Sequence, residues 1–170
     1  MIDAGKNAIA WRSRIEPADC AAIGDLVAAT GFFSAGEIEL AVELVAETIA
    51  RGSESGYQFL IADSAYTDHS ISAYTCFGRI PATESSFDLY WIAVAPALQG
   101  QGLGRQILSQ TEFVASGQGA TRMFVDTSGR DQYASTRAFY ESMGYSVAAV
   151  LDDFYAPGDS KIIYCKSLPA

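Results

Sequence analysis

The spacing of the apolar residues changes several times along this chain of 170 residues, and the order of those changes restricts the fold. A strand-like run at residues 9–15 is followed by two helical segments and three strand-like segments. Helix, strand, helix and two final strands complete the order. Because consecutive strands favour an antiparallel meander, this order predicts a mixed α/β sheet that is mostly antiparallel. We expect about six to seven strands flanked by about four helices, in the order β-α-α-β-β-β-α-β-α-β-β.

Local signals place the ends of these elements. Pro17 can occupy the first turn of a helix that runs to about Thr30, and the pair Ser34 and Glu37 forms a capping box for a second helix that Gly52 ends. Its predicted core-facing residues are Ile38, Val42, Val45 and Ile49. Later strands are predicted at residues 57–62, 72–78, 87–94, 123–126, 145–151 and 161–167, and later helices at 102–116 and 131–143.

Composition favours a single folded domain over residues 1–170. Hydrophobic residues make up 49% of the chain and charged residues 18%, which is typical of a globular protein. The net charge of -9 argues against nucleic-acid binding, because a negative surface repels phosphate. Three scattered cysteines without a CxxC pair favour a reducing compartment, and no signal peptide or membrane span is expected. These features predict a cytoplasmic protein.

Glycines are concentrated where the third meander strand gives way to a helix. Gly100, Gly102 and Gly104 would allow several main-chain N–H groups to converge at the helix N-terminus, where the dipole favours an anion. Arg105 adds a cation that opposes the dipole and needs a negative partner. The spacing fits neither the dinucleotide fingerprint nor the P-loop. The loop therefore predicts a phosphate site of another kind, whereas the alternative is a tight turn alone.

Two segments resemble motifs of the GNAT superfamily of acyl-CoA-dependent N-acyltransferases. The run Gln99-x-x-Gly102-x-Gly104 is similar to the family's [QR]-x-x-G-x-[GA] loop, which holds the diphosphate of coenzyme A. Residues 138–145, Ala-Phe-Tyr-Glu-Ser-Met-Gly-Tyr, resemble the family helix that carries a tyrosine near the thioester sulfur. The resemblance covers residues 9–168 and implies the GNAT fold, an acetyltransferase and acetyl-CoA as cofactor.

The resemblance also implies which residues bind the cofactor. They are Ile92, Ala93, Val94, Gln99, Gly100, Gln101, Gly102, Leu103, Gly104, Arg105, Ser135 and Tyr140. One departure concerns Tyr133, which stands where the family commonly has Asn, and Thr136 replaces the usual Ala. Ser135 or Thr136 would then replace the missing contact to the pantetheine arm.

Three side chains are candidates for the chemistry. Strand alternation places Asp88 on one face with Tyr90, Ile92 and Val94, and the resemblance matches Asp88 to the position of a general-base glutamate. Aspartate is one methylene shorter, so a water relay is expected, with Glu84 as the other candidate base. Tyr140 would protonate the leaving thiolate, because a neutral phenol can donate a proton. The main-chain N–H of Val94 is expected to stabilise the oxyanion.

Other reactive residues point to no second chemistry. His69 is the only histidine, and no G-x-S-x-G elbow accompanies it. Cys76 lies within a strand, where a buried thiol is the simpler explanation. No metal-binding spacing is present, so no metal is predicted. The hairpin at residues 152–159 would either shape an acceptor pocket or only form a turn.

The sequence therefore predicts transfer of an acetyl group from acetyl-CoA to a primary amine of a small molecule or a protein, by direct attack in a ternary complex. Two alternatives stay open: a CoA-binding sensor or interaction module without transfer activity, and an acyl-CoA enzyme whose acceptor is not an amine. A homodimer is an expectation from the family resemblance only.

Overall fold

The computed structural model describes residues 9–64 and 70–169. Within these ranges the strands are β1 Ile9–Arg12, β2 Gln58–Ser64, β3 Ile71–Arg79, β4 Ser86–Val94, β5 Arg122–Ser128, β6 Ser146–Ala156 and β7 Asp159–Ser167. The helices are α1 Asp19–Ala29, α2 Ala35–Arg51, α3 Leu103–Gly117 and α4 Ala134–Ser142. The strands form one sheet in the order β1-β2-β3-β4-β5-β7-β6. This confirms the predicted fold class and element order.

Strand direction agrees with the predicted meander and crossover. β2 pairs with β1 and β3 in antiparallel fashion, and β7 pairs in the same way with β5 and β6. β4 and β5 are parallel, as the intervening α3 requires. No helix in the described ranges is long and apolar enough to cross a membrane.

The start of α2 confirms the capping box. The N–H of Glu37 donates to Ser34 Oγ at 3.3 Å, and the N–H of Ser34 donates to Glu37 Oε2 at 2.8 Å. These bonds satisfy two N–H groups that a helix start leaves without partners. At the other end, Gly52 ends the helix as predicted, with φ of 57°.

The predicted core face of α2 was partly wrong. Val45 is buried as predicted, but Ile49 is 41% exposed, and Ala41 and Leu44 are buried although they were not predicted. The reason is close packing against α1, where a Cβ added to Gly24 would meet Val42 at 3.1 Å. Gly24 thus allows α1 and α2 to approach closely at Val42, and Ile49 lies outside the buried stripe of α2.

Other element ends also differ from prediction. α1 begins at Asp19 rather than at Pro17, because residues 17–18 form a turn in which the N–H of Asp19 donates to Glu16 O at 2.9 Å. A 3-10 turn, Asp131–Tyr133, precedes α4, and β6 extends five residues beyond its predicted end to Ala156. The turn before β7 is as expected: Gly158 has φ of 80° and its N–H donates to Asp153 Oδ1 at 2.7 Å.

The described chain divides into two compact units. The first contains the residues up to Phe77 together with Trp91–Thr111, and the second contains Gly78–Tyr90 and the chain from Glu112 onward. The core of the first unit lies among α1, α2, β2 and β3 and includes Ile23, Val27, Val45, Ile61 and Tyr74. The second unit buries Phe87, Met123, Tyr140, Tyr145 and Tyr164. That one domain spans residues 1–170 stays a prediction.

Candidate active site

The glycine-rich loop of the first unit connects β4 to α3. After Val94 the N–H of Ala95 donates to Ser72 O at 2.8 Å, and Pro96–Leu98 form a single 3-10 turn. The amide of Gln99 donates from Nε2 to Val94 O at 3.1 Å, so it closes the loop onto the strand end. Ala93 is buried, while Ile92 and Val94 are half-buried.

Main-chain conformation explains two of the three glycines. Gly100 and Gly102 have φ of 73° and 88°, a region that other residues rarely adopt, and a Cβ at either position would meet no atom within 4 Å. Gly104 lies in the first turn of α3 and does not have a positive φ, so its backbone conformation does not require glycine.

The start of α3 provides main-chain donors. The first helical hydrogen bond runs from the N–H of Gln106 to Gly102 O at 3.1 Å, so Leu103 and Gly104 have no acceptor for their N–H groups inside the helix. Open space above Gly102 beside these donors is the arrangement that a phosphate oxygen requires. The residues of the loop therefore fit the diphosphate of coenzyme A.

Asp88 lies in the second unit, in the part of β4 that pairs with β5. It stands opposite Phe124, and its neighbours Phe87 and Leu89 are buried on the other face of the strand. Burial raises the pKa of the Asp88 carboxyl to about 6, and the nearby charge of Asp126 acts in the same direction. Asp88 can thus hold or release a proton near neutral pH.

Tyr140 is buried in α4, with 3% of its surface exposed. Its ring centroid lies 5.5 Å from that of Phe139, 5.8 Å from Tyr145 and 6.0 Å from Tyr164. Burial raises the pKa of Tyr140 above its ordinary value, and Asp126 again contributes. The phenol is therefore neutral at physiological pH, as its predicted role as a proton donor requires.

Hydrogen bonds hold the two tyrosines that flank Tyr140. Tyr145 donates to Glu112 Oε1 at 2.9 Å, and Lys166 Nζ lies 2.6 Å from Glu112 Oε2. Tyr164 donates to Glu141 Oε1 at 3.0 Å. These contacts fix the rings around Tyr140 and so restrict the orientation of its side chain.

The remaining predicted site residues are less enclosed. Glu84 is exposed, lies before β4 begins, and accepts a hydrogen bond from Arg79 through its main-chain carbonyl. Ser135 is exposed in the first turn of α4, and the guanidinium of Arg130 lies 6.0 Å from the ring centroid of Tyr133. Gln101 and Arg105 are exposed. His69 lies outside the described residues.

Cys76 is unsuited to nucleophilic chemistry. Its side chain is fully buried, and burial raises the pKa of the thiol far above its ordinary value. This confirms the expectation of a structural thiol. Among residues 9–64 and 70–169, no group of three or more His, Cys, Asp or Glu side chains is arranged to hold a metal ion.

Two charged residues near Asp88 were not predicted from the sequence. Lys161 Nζ lies 2.5 Å from Asp126 Oδ2, and the two side chains are 21% and 40% exposed, respectively. Lys161 lowers the pKa of Asp88, whereas Asp126 raises it. Asp126 ends the short predicted strand at residues 123–126, but only the register of β5 against β4 reveals that it neighbours Asp88.

A cavity of about 700 Å³ opens in the second unit. It is lined by Ser86, Arg122, Phe124, Gly144, Ser146, Ala148, Cys165, Lys166 and Ser167. Ser86 is two residues before Asp88 on the same strand face, and Phe124 is its register partner. The cavity thus adjoins the strand positions that surround the carboxylate.

Comparisons with known proteins identify the family of the chain. Residues 55–147 match the model of the acetyltransferase (GNAT) domain. A GNAT-family protein from Desulfovibrio desulfuricans has 42% sequence identity, with a TM-score of 0.91 over 95% of this chain and all of that chain. A search of curated proteins found no match.

Two further solved structures share the fold at lower identity. The ribosomal-protein-S18-alanine N-acetyltransferase from Escherichia coli is 19% identical, with a TM-score of 0.73 over 96% of both chains. YncA from Salmonella typhimurium, solved with its cofactor acetyl-CoA, is 22% identical, with a TM-score of 0.70 over 96% of this chain and 95% of that chain.

The chain belongs to the GNAT family of acetyltransferases. This confirms the family and the enzyme class expected from the two motifs. Acetyltransferases of this family take the acetyl group from acetyl-CoA, so the predicted cofactor is confirmed at that level.

Proposed function

We propose that this protein transfers an acetyl group from acetyl-CoA to a primary amine, by direct attack within a ternary complex. The observation that carries the proposal is the environment of Asp88. A carboxyl whose pKa is raised to about 6 is a stronger base than an ordinary aspartate and is still ionised at neutral pH. It can therefore deprotonate an amine whose acetylation requires an uncharged nitrogen.

The loop from Gln99 to Arg105 is proposed to bind the cofactor through its diphosphate. The N–H groups of Leu103 and Gly104 would donate to phosphate oxygens, and the open side of Gly102 allows the phosphate to approach the main chain. Ile92, Ala93 and Val94 would contribute main-chain contacts at the end of β4, and Ser135 and Tyr140 contacts from α4. Acetyl-CoA, when bound, supplies a thioester that an amine can attack.

The protein groups account for the protons. Asp88, directly or through a water molecule, accepts a proton from the acceptor ammonium, and the free amine forms the new C–N bond. As the C–S bond breaks, its electron pair stays on sulfur, and the Tyr140 hydroxyl donates a proton there. The nitrogen of the new amide gives up its second proton to the Tyr140 phenolate, directly or through water, which restores the phenol. The N–H of Val94 is proposed to stabilise the oxyanion. Glu84 stays a second candidate for the base.

The cavity beside Asp88 is proposed to receive the acceptor. Two of its lining residues, Ser86 and Phe124, neighbour Asp88 in the sheet, and this supports the assignment. The Escherichia coli relative is named for an alanine of a ribosomal protein, so both a protein amine and a small-molecule amine are candidate acceptors here. Cys20, Cys76 and Cys165 are free, in keeping with the cytoplasmic location that we propose.

Thiol release from acetyl-CoA over a panel of amines and amine-bearing peptides tests the reaction. We expect release with at least one acceptor, and the acetylated product should be found by mass spectrometry. Tight CoA binding without release on any acceptor would contradict the proposal and favour the sensor. Release with acceptors that carry only hydroxyl groups would favour the enzyme of another acceptor class.

A matched pair of glycine variants tests the loop. Gly102 and Gly119 have φ of 88° and 85°, and a Cβ at either position meets no atom within 4 Å. Valine should therefore impose a similar backbone strain in both variants, about 1–2 kcal/mol. We expect Gly102→Val to weaken CoA binding at least tenfold by calorimetry and Gly119→Val to leave it unchanged. Equal CoA affinity in the two variants would exclude the loop as the diphosphate site.

A further inference from the structure

Asp126 is placed to influence both groups that are proposed to move protons. Its charge acts on Asp88 in β4 and on Tyr140 in α4, although neither residue adjoins it in sequence. At both groups burial is the larger cause of the raised pKa, and the charge of Asp126 adds to it. The established family assignment does not specify this arrangement.

The strand register places Asp88, Asp126 and Lys161 along one diagonal of the sheet. Asp88 pairs with Phe124, and Asp126 is two residues farther along the same face of β5. Asp126 pairs with Ile163, and Lys161 is two residues away on the same face of β7. The three side chains therefore lie on one face of three neighbouring strands.

Lys161 is held in this row by two contacts. Its Nζ lies 2.5 Å from Asp126 Oδ2 and 4.8 Å from the ring centroid of Phe154. The cation thus offsets the charge of Asp126 and also attracts that of Asp88 directly. Burial is the largest cause of the raised pKa of Asp88, and the two neighbouring charges adjust that pKa in opposite directions.

Two further charged groups of the second unit have other partners. In β3, the guanidinium of Arg79 lies 5.2 Å from the ring centroid of Phe87, which is on the other face of β4, and it donates to the main-chain carbonyls of Glu84 and Gln118. In α3, Glu112 accepts from Tyr145 and Lys166. Asp126 and Lys161 are the charged residues that act on Asp88.

We propose that Asp126 and Lys161 are positioning residues that set the protonation of Asp88 for acetyl transfer, with Asp126 retaining the proton and Lys161 promoting its release. This inference rests on the proposed function, because it requires that Asp88 is the base. It predicts that replacing Asp126 and replacing Lys161 change the titration of Asp88 in opposite directions, although the two residues form one ion pair. If the ion pair were purely structural, loss of either partner would have the same effect.

The test measures the titration of Asp88 in two ways. The first is the carboxyl ¹³C shift in the free protein, assigned with Asp88→Asn, and the second is the acidic limb of kcat/KM. Asp126→Asn should move the midpoints of both titrations to lower pH by about half a unit, as expected for loss of a like charge. Lys161→Met should move both to higher pH by a similar amount.

Two controls separate the charge from the packing and from the total charge of the chain. Lys161→Arg retains the cation and should restore the wild-type titration, and Asp25→Asn removes an exposed charge from α1 and should not change it. Shifts in the same direction in Asp126→Asn and Lys161→Met, or no shift in either, would overturn the inference. If the wild type transfers no acetyl group, the proposed function fails, while the ¹³C titration still decides whether the pair controls Asp88.

Discussion

Replacement of Asp88 by Asn should stabilise the folded protein while it removes the proposed base. The pKa of Asp88 rises from 3.8 to about 6 on folding, so the folded state binds a proton in this window that the unfolded chain has lost. The free energy of unfolding therefore falls as the pH rises through the window, and the penalty is complete above it. The difference corresponds to about 3 kcal/mol at about 1.4 kcal/mol per pKa unit. Because Asp88 is only half-buried and water screens its charge, we expect about 1 kcal/mol.

Urea denaturation of the wild type and of Asp88→Asn measures this penalty. At pH 7.5 the variant should have the higher free energy of unfolding by about 1 kcal/mol. Below about pH 3 the difference should disappear, because Asp88 is then protonated in both the folded and the unfolded state and is neutral like Asn. Asp25→Asn, at an exposed position, controls for the loss of one negative charge. A variant that is no more stable than the wild type at pH 7.5 would refute the burial argument. A variant with unchanged turnover would remove Asp88 from the chemistry.

Three further predictions concern other residues. Tyr140→Phe should lower kcat by about 10² to 10⁴ with little change in CoA affinity, as expected for the loss of one acid group; steady-state kinetics and calorimetry check this, and unchanged kcat would exclude the role. Arg12 lies 2.6 Å from Asp19 and 2.5 Å from Asp63, so Arg12→Met should leave two carboxylates without their cation. We expect the free energy of unfolding in urea to fall by about 3 kcal/mol, whereas a loss below about 1 kcal/mol would show that solvent screens the network. Cys76 should react with a thiol reagent only at the rate of unfolding, and fast labelling of the native protein at this residue would contradict its burial.

The sequence predicted the fold well where local chemistry determines it. The capping box at Ser34 and the glycine at position 52 bound α2, and the turn before β7 forms where Gly158 allows a positive φ. The sequence predicted less well which residues of a helix are buried, because tertiary packing determines this. The buried stripe of α2 follows the close contact of Gly24 with Val42, which no periodicity within one helix could reveal.

The candidate site also contains residues that the sequence predicted and residues that only strand pairing reveals. Motif spacing predicted the glycine loop, Asp88 and Tyr140 as site residues, because each proposed role depends on a residue type at a fixed place in one element. Asp126 and Lys161 are 38 and 73 residues beyond Asp88 in the sequence, as their numbers give. Their approach to Asp88 depends on the pairing of β4, β5 and β7, and a shift of one residue in register would turn them to the other face.

The base strength of Asp88 and the stability of the fold are two consequences of one free energy. Every contribution that raises the pKa of this carboxyl makes it a better proton acceptor, and at neutral pH it also disfavours the folded, ionised state. Asp126→Asn should therefore shift the acidic limb of kcat/KM to lower pH and, apart from the small loss of an exposed ion pair, raise the free energy of unfolding at pH 7.5. Lys161→Met should do the reverse on both counts. Across such variants the two measurements should change in opposite senses, and a variant that became both more basic at Asp88 and more stable at neutral pH would show that the two quantities have separate origins.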